Sequence, residues 1–120
     1  MAFSYENLKV GEDILNLVDR VYTIGEGFPS DERYALTQQM RRAATSIYLN
    51  IAEGSTRKSE RDFTRFLQYC LGSIVEVHAC LKIAQRRQYI DKITLDTAGQ
   101  ELEIIWMKVC ALRSSLTAPK

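Results

Sequence analysis

The chain has 120 residues, 46% of them apolar and 26% charged, with 6 glycines, 2 prolines and a net charge of +1. That length suits one domain, and the composition favours a helical, well-filled core over a disordered or fibrous chain. A charge this close to zero excludes bulk electrostatic attraction to nucleic acid, so any such partner must be drawn by local clustering.

The first helix is expected over 6–24. Val10, Ile14, Leu17, Val18 and Val21 recur at helical spacing, with Glu12, Asp13, Asn16, Asp19 and Arg20 mostly elsewhere. The run Gly25-Glu26-Gly27-Phe28-Pro29 should end it, because glycine and proline do not continue a helix cheaply. Ser30 is a suitable N-cap for a second helix over 31–53, with Asp31 and Glu32 on its positive end. Along that helix Leu36, Met40, Ala43, Ile47, Asn50 and Gly54 follow alternating steps of four and three, a heptad seam. Gly54 suits the position after the last turn, where φ is usually positive. Glu53 lies at the end of the helix that disfavours a carboxylate, so it needs a cationic partner such as Arg57.

Ser59, followed by Asp62, caps a third helix over 59–88. Its seam is Phe63, Leu67, Cys70, Ile74, Val77, Leu81 and Ala84, and a second apolar line runs through Phe66, Leu71, Val75 and Cys80. So wide an apolar surface predicts a central helix, or one facing both its own bundle and another subunit. Gly72-Ser73 would permit a close helix crossing. A fourth helix over 95–116 carries Leu95, Ala98, Leu102, Ile105, Val109, Leu112 and Leu116, widened by Trp106 and Cys110, and Pro119-Lys120 should form a frayed tail. No stretch alternates like a strand. The expected fold is all-α, an antiparallel up-down-up-down four-helix bundle formed by one domain spanning 1–120.

The residues give little sign of catalysis. The one histidine, His78, has Val75 three residues before it, so the Glu-x-x-His pairing of a di-iron bundle is missing. Neither a zinc ligand set, a phosphate-cradling glycine loop nor a nucleophile elbow is present. His78 and Glu76 point to different faces, and a partly buried structural histidine is the expectation. Cys70, Cys80 and Cys110 are an odd set without C-x-x-C spacing, and read as buried thiols of a cytoplasmic protein. The longest uncharged stretches, such as 66–75, are half the length a spanning helix needs, and no secretory leader is recognisable, so no membrane partner is expected. No cofactor, metal or enzymatic activity is expected either.

Two features remain open. Asn50 interrupts an apolar seam, either to fix register or assembly state or to contact a ligand. Arg41, Arg42, Arg57, Lys58, Arg61 and Arg65 gather within 40–70 against Glu53, Glu60 and Asp62, a local excess of +3. They form either a nucleic-acid-binding surface interleaved with Phe63, Phe66 and Tyr69, or a solvated or intersubunit salt-bridge face.

The run Phe28-Pro29, Glu32, Tyr34, Leu36-Thr37, Gln39, Arg41-Arg42-Ala43, Ser46-Ile47, Asn50-Ile51-Ala52-Glu53-Gly54, Arg57, Ser59, Phe63, Arg65-Phe66-Leu67, Gly72-Ser73 and Glu76 resembles the four-helix-bundle family encoded in intervening sequences of bacterial 23S rRNA genes. The accessory variability determinants of diversity-generating retroelements are related to that family. The likeness implies a small bacterial bundle that assembles as a ring-like homopentamer and has no known enzyme activity. The retroelement relatives bind nucleic acid and a reverse transcriptase through a basic surface. By resemblance this suggests RNA or a nucleoprotein as partner, met by the same six cations. Two departures are visible: Tyr48-Leu49 stands where the family often has small residues or proline, and the net charge is well below that of the retroelement proteins.

Overall fold

The computed structural model describes residues 4–117, and Pro119-Lys120 lies outside them. Four helices make up the chain: α1, Val10–Glu26; α2, Leu36–Gly54; α3, Glu60–Arg86; and α4, Lys92–Thr117. Short 3-10 turns at Ser4–Asn7 and Ser30–Glu32 precede α1 and α2. No strand occurs among the described residues.

Each helix packs on two neighbours, α1 and α3 both lying between α2 and α4. Contacts run in opposite directions along each pair. Ser46, Ile47 and Gly54 of α2 meet Ser73, Cys70 and Phe66 of α3 in turn. Asp13 and Arg20 of α1 pair with Lys108 and Glu101 of α4. Gly11 and Gly25 of α1 lie against Tyr48 and Arg41 of α2. On the fourth side, Val75 shares a groove with Trp106 and Lys82 shares one with Leu95. The neighbours are therefore antiparallel, and the body measures 49 × 26 × 20 Å.

The core is built from the expected periodicities, with one shift of register. Ile14, Leu17, Val21, Leu67, Val77, Leu81, Ile105 and Val109 are fully buried. Burial of each such side chain is worth about 1.5–3 kcal/mol. In α2 the buried residues are Thr37, Met40, Ala43, Ala44, Ile47, Ile51 and Gly54. Ala43 and Ala44 are both buried, so the departure from the expected seam lies at Asn50, where the neighbouring Ile51 turns inward instead. Asn50 sits on the flank, half-buried, and donates to the Ser46 carbonyl at 2.8 Å and to Ser46 Oγ at 2.9 Å. Ser46 Oγ is in turn 2.9 Å from Ser73 Oγ, so a polar ladder runs from α2 to α3.

The helix ends depart from expectation in instructive ways. Ser30 opens a 3-10 turn, and α2 begins only at Leu36. Glu32 takes over the capping, accepting from the Leu36 amide at 3.4 Å and from the Tyr89 hydroxyl at 2.8 Å. Gly25 is still helical; a Cβ there would lie 3.0 Å from Arg41 Nε, so its bareness admits a guanidinium. Gly54 does not have positive φ. It is the last residue of α2, and a Cβ on it would stand 2.6 Å from the Phe66 Cβ, so it is there for a close helix approach. Gly72, expected to serve such an approach, instead faces open space.

The left-handed residue is Gln88, at φ 67°. It follows α3, with Tyr89 N–H donating to the Ala84 carbonyl at 2.8 Å and Gln88 N–H to Gln85 at 2.9 Å. That is the paired closure of a Schellman ending. Ser59 does cap α3, accepting from the Asp62 amide at 3.1 Å. Asp91 begins α4 in the same way, accepting from the Thr94 amide at 2.8 Å. The Thr94 hydroxyl and amide hold its carboxyl below the usual carboxylate range.

α3 is, by length and composition alone, apolar enough to cross a membrane, although its uncharged stretches are short. In the fold its apolar residues are largely spent on the core. Of the second apolar line, Phe66, Leu71 and Cys80 are buried within the chain and Val75 alone is exposed.

Candidate nucleic-acid interface

The six cations that stand close in sequence separate in space. Arg57, Lys58, Arg61 and Arg65 occupy the turn between α2 and α3 and the first turns of α3. Arg41 and Arg42 lie at the far half of α2, about 20 Å away along the axis at 1.5 Å per residue.

Arg41 is a structural residue. Its Nη2 donates to the Tyr22 carbonyl at 3.0 Å, and its guanidinium lies over the Tyr22 ring at 4.8 Å. It thereby places a cation near the C-terminal end of α1, where the helix dipole favours positive charge. The guanidinium packs flat on Gly25, and its Nε is buried without a hydrogen-bond partner. Neither Glu53 nor Glu76 reaches it; the Glu76 carboxylate accepts from Gln39 Nε2 instead. Arg42, one position on, is exposed and forms no ion pair among the described residues.

At the turn, Phe66 is the organising side chain. It is 8% exposed, wedged under Gly54, and two guanidiniums lie over it: Arg57 at 4.6 Å and Arg65 at 5.6 Å from the ring centre. Such contacts orient a cation at little cost in hydration. Arg57 also meets Glu53 at 3.0 Å, and Arg65 meets Asp62 at 3.6 Å. The expected Glu53–Arg57 pair therefore forms, across the end of α2. Both pairs are solvent-exposed and contribute only about 0–1 kcal/mol. Lys58 and Arg61 are exposed without an ion pair among the described residues. Tyr69, 51% exposed, stands edge-on to Phe66 with centroids 5.7 Å apart.

The other chemistry-bearing groups lie elsewhere. Burial pushes the Cys70 thiol up to about 12, and it donates to the Ile47 carbonyl at 3.5 Å. Burial, and then the Glu76 carboxylate, also raise Cys80. Neither thiol is poised as a nucleophile, and all three cysteines are free. His78, expected to be partly buried, is exposed beside Gly99. Among the described residues no cluster of His, Cys, Asp and Glu is arranged to hold a metal ion. A groove of about 760 Å³ between α1 and α4 lies away from the basic turn, and its charged groups include the Arg20–Glu101 pair.

The family model of the 23S rRNA-intervening sequence proteins matches residues 6–109. The chain belongs to that family. The match takes in all of α1, α2 and α3 and most of α4, so the basic turn is part of the family's body and not an appendage. A crystal structure from Bacteroides thetaiotaomicron, of a protein with unknown function from the S23 ribosomal protein family, has the same fold. The two superpose with a TM-score of 0.79 at 21% identity, over 87% of this chain and 97% of that one. No curated protein matches the chain.

Sequence reasoning found the basic turn but overlooked what organises it. The sequence places Phe66 both on a core line and among the cations, and nothing in the spacing shows that two guanidiniums lie over its ring. Arg41 was grouped with the turn by proximity in sequence; the pairing of Gly25 with an arginine on the next helix was the missed signal.

Proposed function

We propose that this family member is a non-enzymatic, oligomeric helical bundle of the cytoplasm. It binds RNA, free or within a nucleoprotein, through the cations at the α2–α3 turn. The observation that carries this reading is the grouping at this turn of Arg57 and Arg65, both over Phe66, with the exposed Lys58 and Arg61, which have no acidic partner among the described residues. Exposed cations grouped in this way suit a phosphate backbone, which needs positive charge at the surface and no particular base.

Assembly is part of the proposal. On the outside of α4, Ile93, Thr97, Gln100, Ile104, Met107 and Ala111 follow steps of four and three, all exposed, with Met107 at 63%. The exposed apolar members of that line, Ile93, Ile104, Met107 and Ala111, together with Val75 and Ile83 on α3, support burial against other subunits. In a homopentamer the basic turn would recur once per subunit, and symmetry would build a positive belt from a nearly neutral chain.

The test is a salt titration of RNA binding on the purified protein, with its mass measured by light scattering. Binding should weaken steeply with salt, with a log–log slope of about −0.7 per phosphate neutralised on a single strand. A monomer at micromolar concentration would sink the assembly. Absent or salt-indifferent binding would sink the RNA reading. In that case the Glu53–Arg57 and Asp62–Arg65 pairs favour the second reading, a protein-interaction bundle whose arginines serve as salt-bridge partners, in this chain or between subunits.

A further inference from the structure

We infer that Tyr69 is a base-stacking platform, which makes the basic turn a site for unpaired nucleic acid in preference to duplex. This rests on the nucleic-acid reading above and goes further, because cations alone do not separate the two forms.

The argument begins with what surrounds the ring. Large apolar side chains near the turn are turned inward: Phe66 is 8% exposed and Leu67 fully buried. Tyr69 is the exception at 51%. Its edge-to-face contact with Phe66, at 5.7 Å and 81°, fixes its orientation without hiding both of its faces. A ring already held in place loses little freedom when a base stacks on it.

The flank of the ring is also clear. Helical side chains lean toward the N-terminus, so the C-terminal side of residue 69 is bordered by residues 72 and 73. Gly72 has no side chain, and even a Cβ there would meet nothing within 4 Å. Ser73 is small and its hydroxyl is engaged with Ser46 at 2.9 Å. On the other side of Tyr69, one turn back, is Arg65, with Arg61 a further turn back; Arg61 to Tyr69 spans about 12 Å along α3. A backbone following the cations would thus deliver a base to an open aromatic face. A duplex keeps its base faces inside the stack and cannot use that face, whereas an unpaired strand can.

The experiment compares a short single-stranded RNA with a duplex of the same length, bound to the purified full chain at fixed low salt. Wild type is expected to favour the single strand. Tyr69→Ala should weaken single-strand binding roughly tenfold, the scale of one lost base–aromatic stack, with the salt slope unchanged. Tyr69→Trp should retain binding, because it keeps a π-face. Gly72→Leu should also weaken it, by covering the ring without removing any cation. Unchanged single-strand affinity in Tyr69→Ala would overturn the stacking role and leave the cationic reading standing. Equal loss for duplex and single strand would overturn it too. So would a lower oligomer mass in Tyr69→Ala, which would make the residue a subunit contact. Failure of wild type to bind either RNA would overturn the nucleic-acid reading itself.

Discussion

Arg41 and Arg57 are both arginines of the α2 region, both lie over an aromatic ring, and they do opposite things. Arg41 is folded into the joint of α1 and α2, on a bare glycine, with a carbonyl as acceptor. Arg57 is held at the surface by Phe66 and a weak pair with Glu53. The difference is one of surroundings. At the first site the helix terminus supplies the counter-dipole and the chain leaves room for the guanidinium. At the second the aromatic is beneath the cation and water is above it. Residue type therefore does not assign a role; the neighbouring glycine or phenylalanine does.

This contrast can be broken by mutation. The largest effect is expected at the packing that supports the exposed site. Gly54→Ala places a Cβ against the Phe66 Cβ and should cost up to about 3 kcal/mol, the range of overpacking, read from chemical denaturation. If stability is unchanged, the close approach of α2 and α3 is not what fixes the turn. Next comes Arg41→Ala, expected to cost about 2 kcal/mol, as for a hydrogen bond to a charged group, without weakening RNA binding by the folded fraction. Loss of binding without loss of stability would reverse the assignment. Ser59→Ala removes the cap of α3 and should cost about 1 kcal/mol.

The double change Arg57→Glu with Lys58→Glu is expected to cost no more than about 1 kcal/mol, since an exposed pair and a surface cation–π contact are lost. It should also abolish salt-dependent binding to every RNA tested. A destabilisation larger than that of Arg41→Ala would mean that the turn arginines are structural after all.

The four helices were legible because apolar residues recur at helical spacing and few alternatives exist for them. α1, α3 and α4 bury most of the residues their periodicity singled out, while Val18, Phe63, Leu112 and Leu116 are partly buried and Val75 and Trp106 are exposed. In α2 the heptad steps point to Asn50, but the adjacent Ile51 is the buried member of that pair, while Ala43 and Ala44 are both buried. Glycine was the hardest residue to interpret. Gly25, Gly54 and Gly72 look alike in a string, yet one receives a guanidinium, one a phenylalanine and one nothing in the chain. Of the six cations expected to act together, four share a region. Arg41 and Arg42 do not, because 1.5 Å of rise per residue carries them toward the other end of α2.

The Schellman ending at Gln88 has a consequence for how the chain resists cutting. By reversing the backbone, it brings Tyr89 onto the segment between α1 and α2. There the ring lies 5.5 Å from that of Phe28 and the hydroxyl reaches Glu32. The longer of the two connections flanking α2 is thus clasped by a residue from a distant part of the chain, while the turn at 55–59 is tied mainly to its own neighbours. Trypsin should therefore nick the folded protein after Arg57 or Lys58 before it cuts after Arg33, although Arg33 sits in the longer segment. Tyr89→Ala, by opening the clasp, should expose Arg33 and even out the two rates.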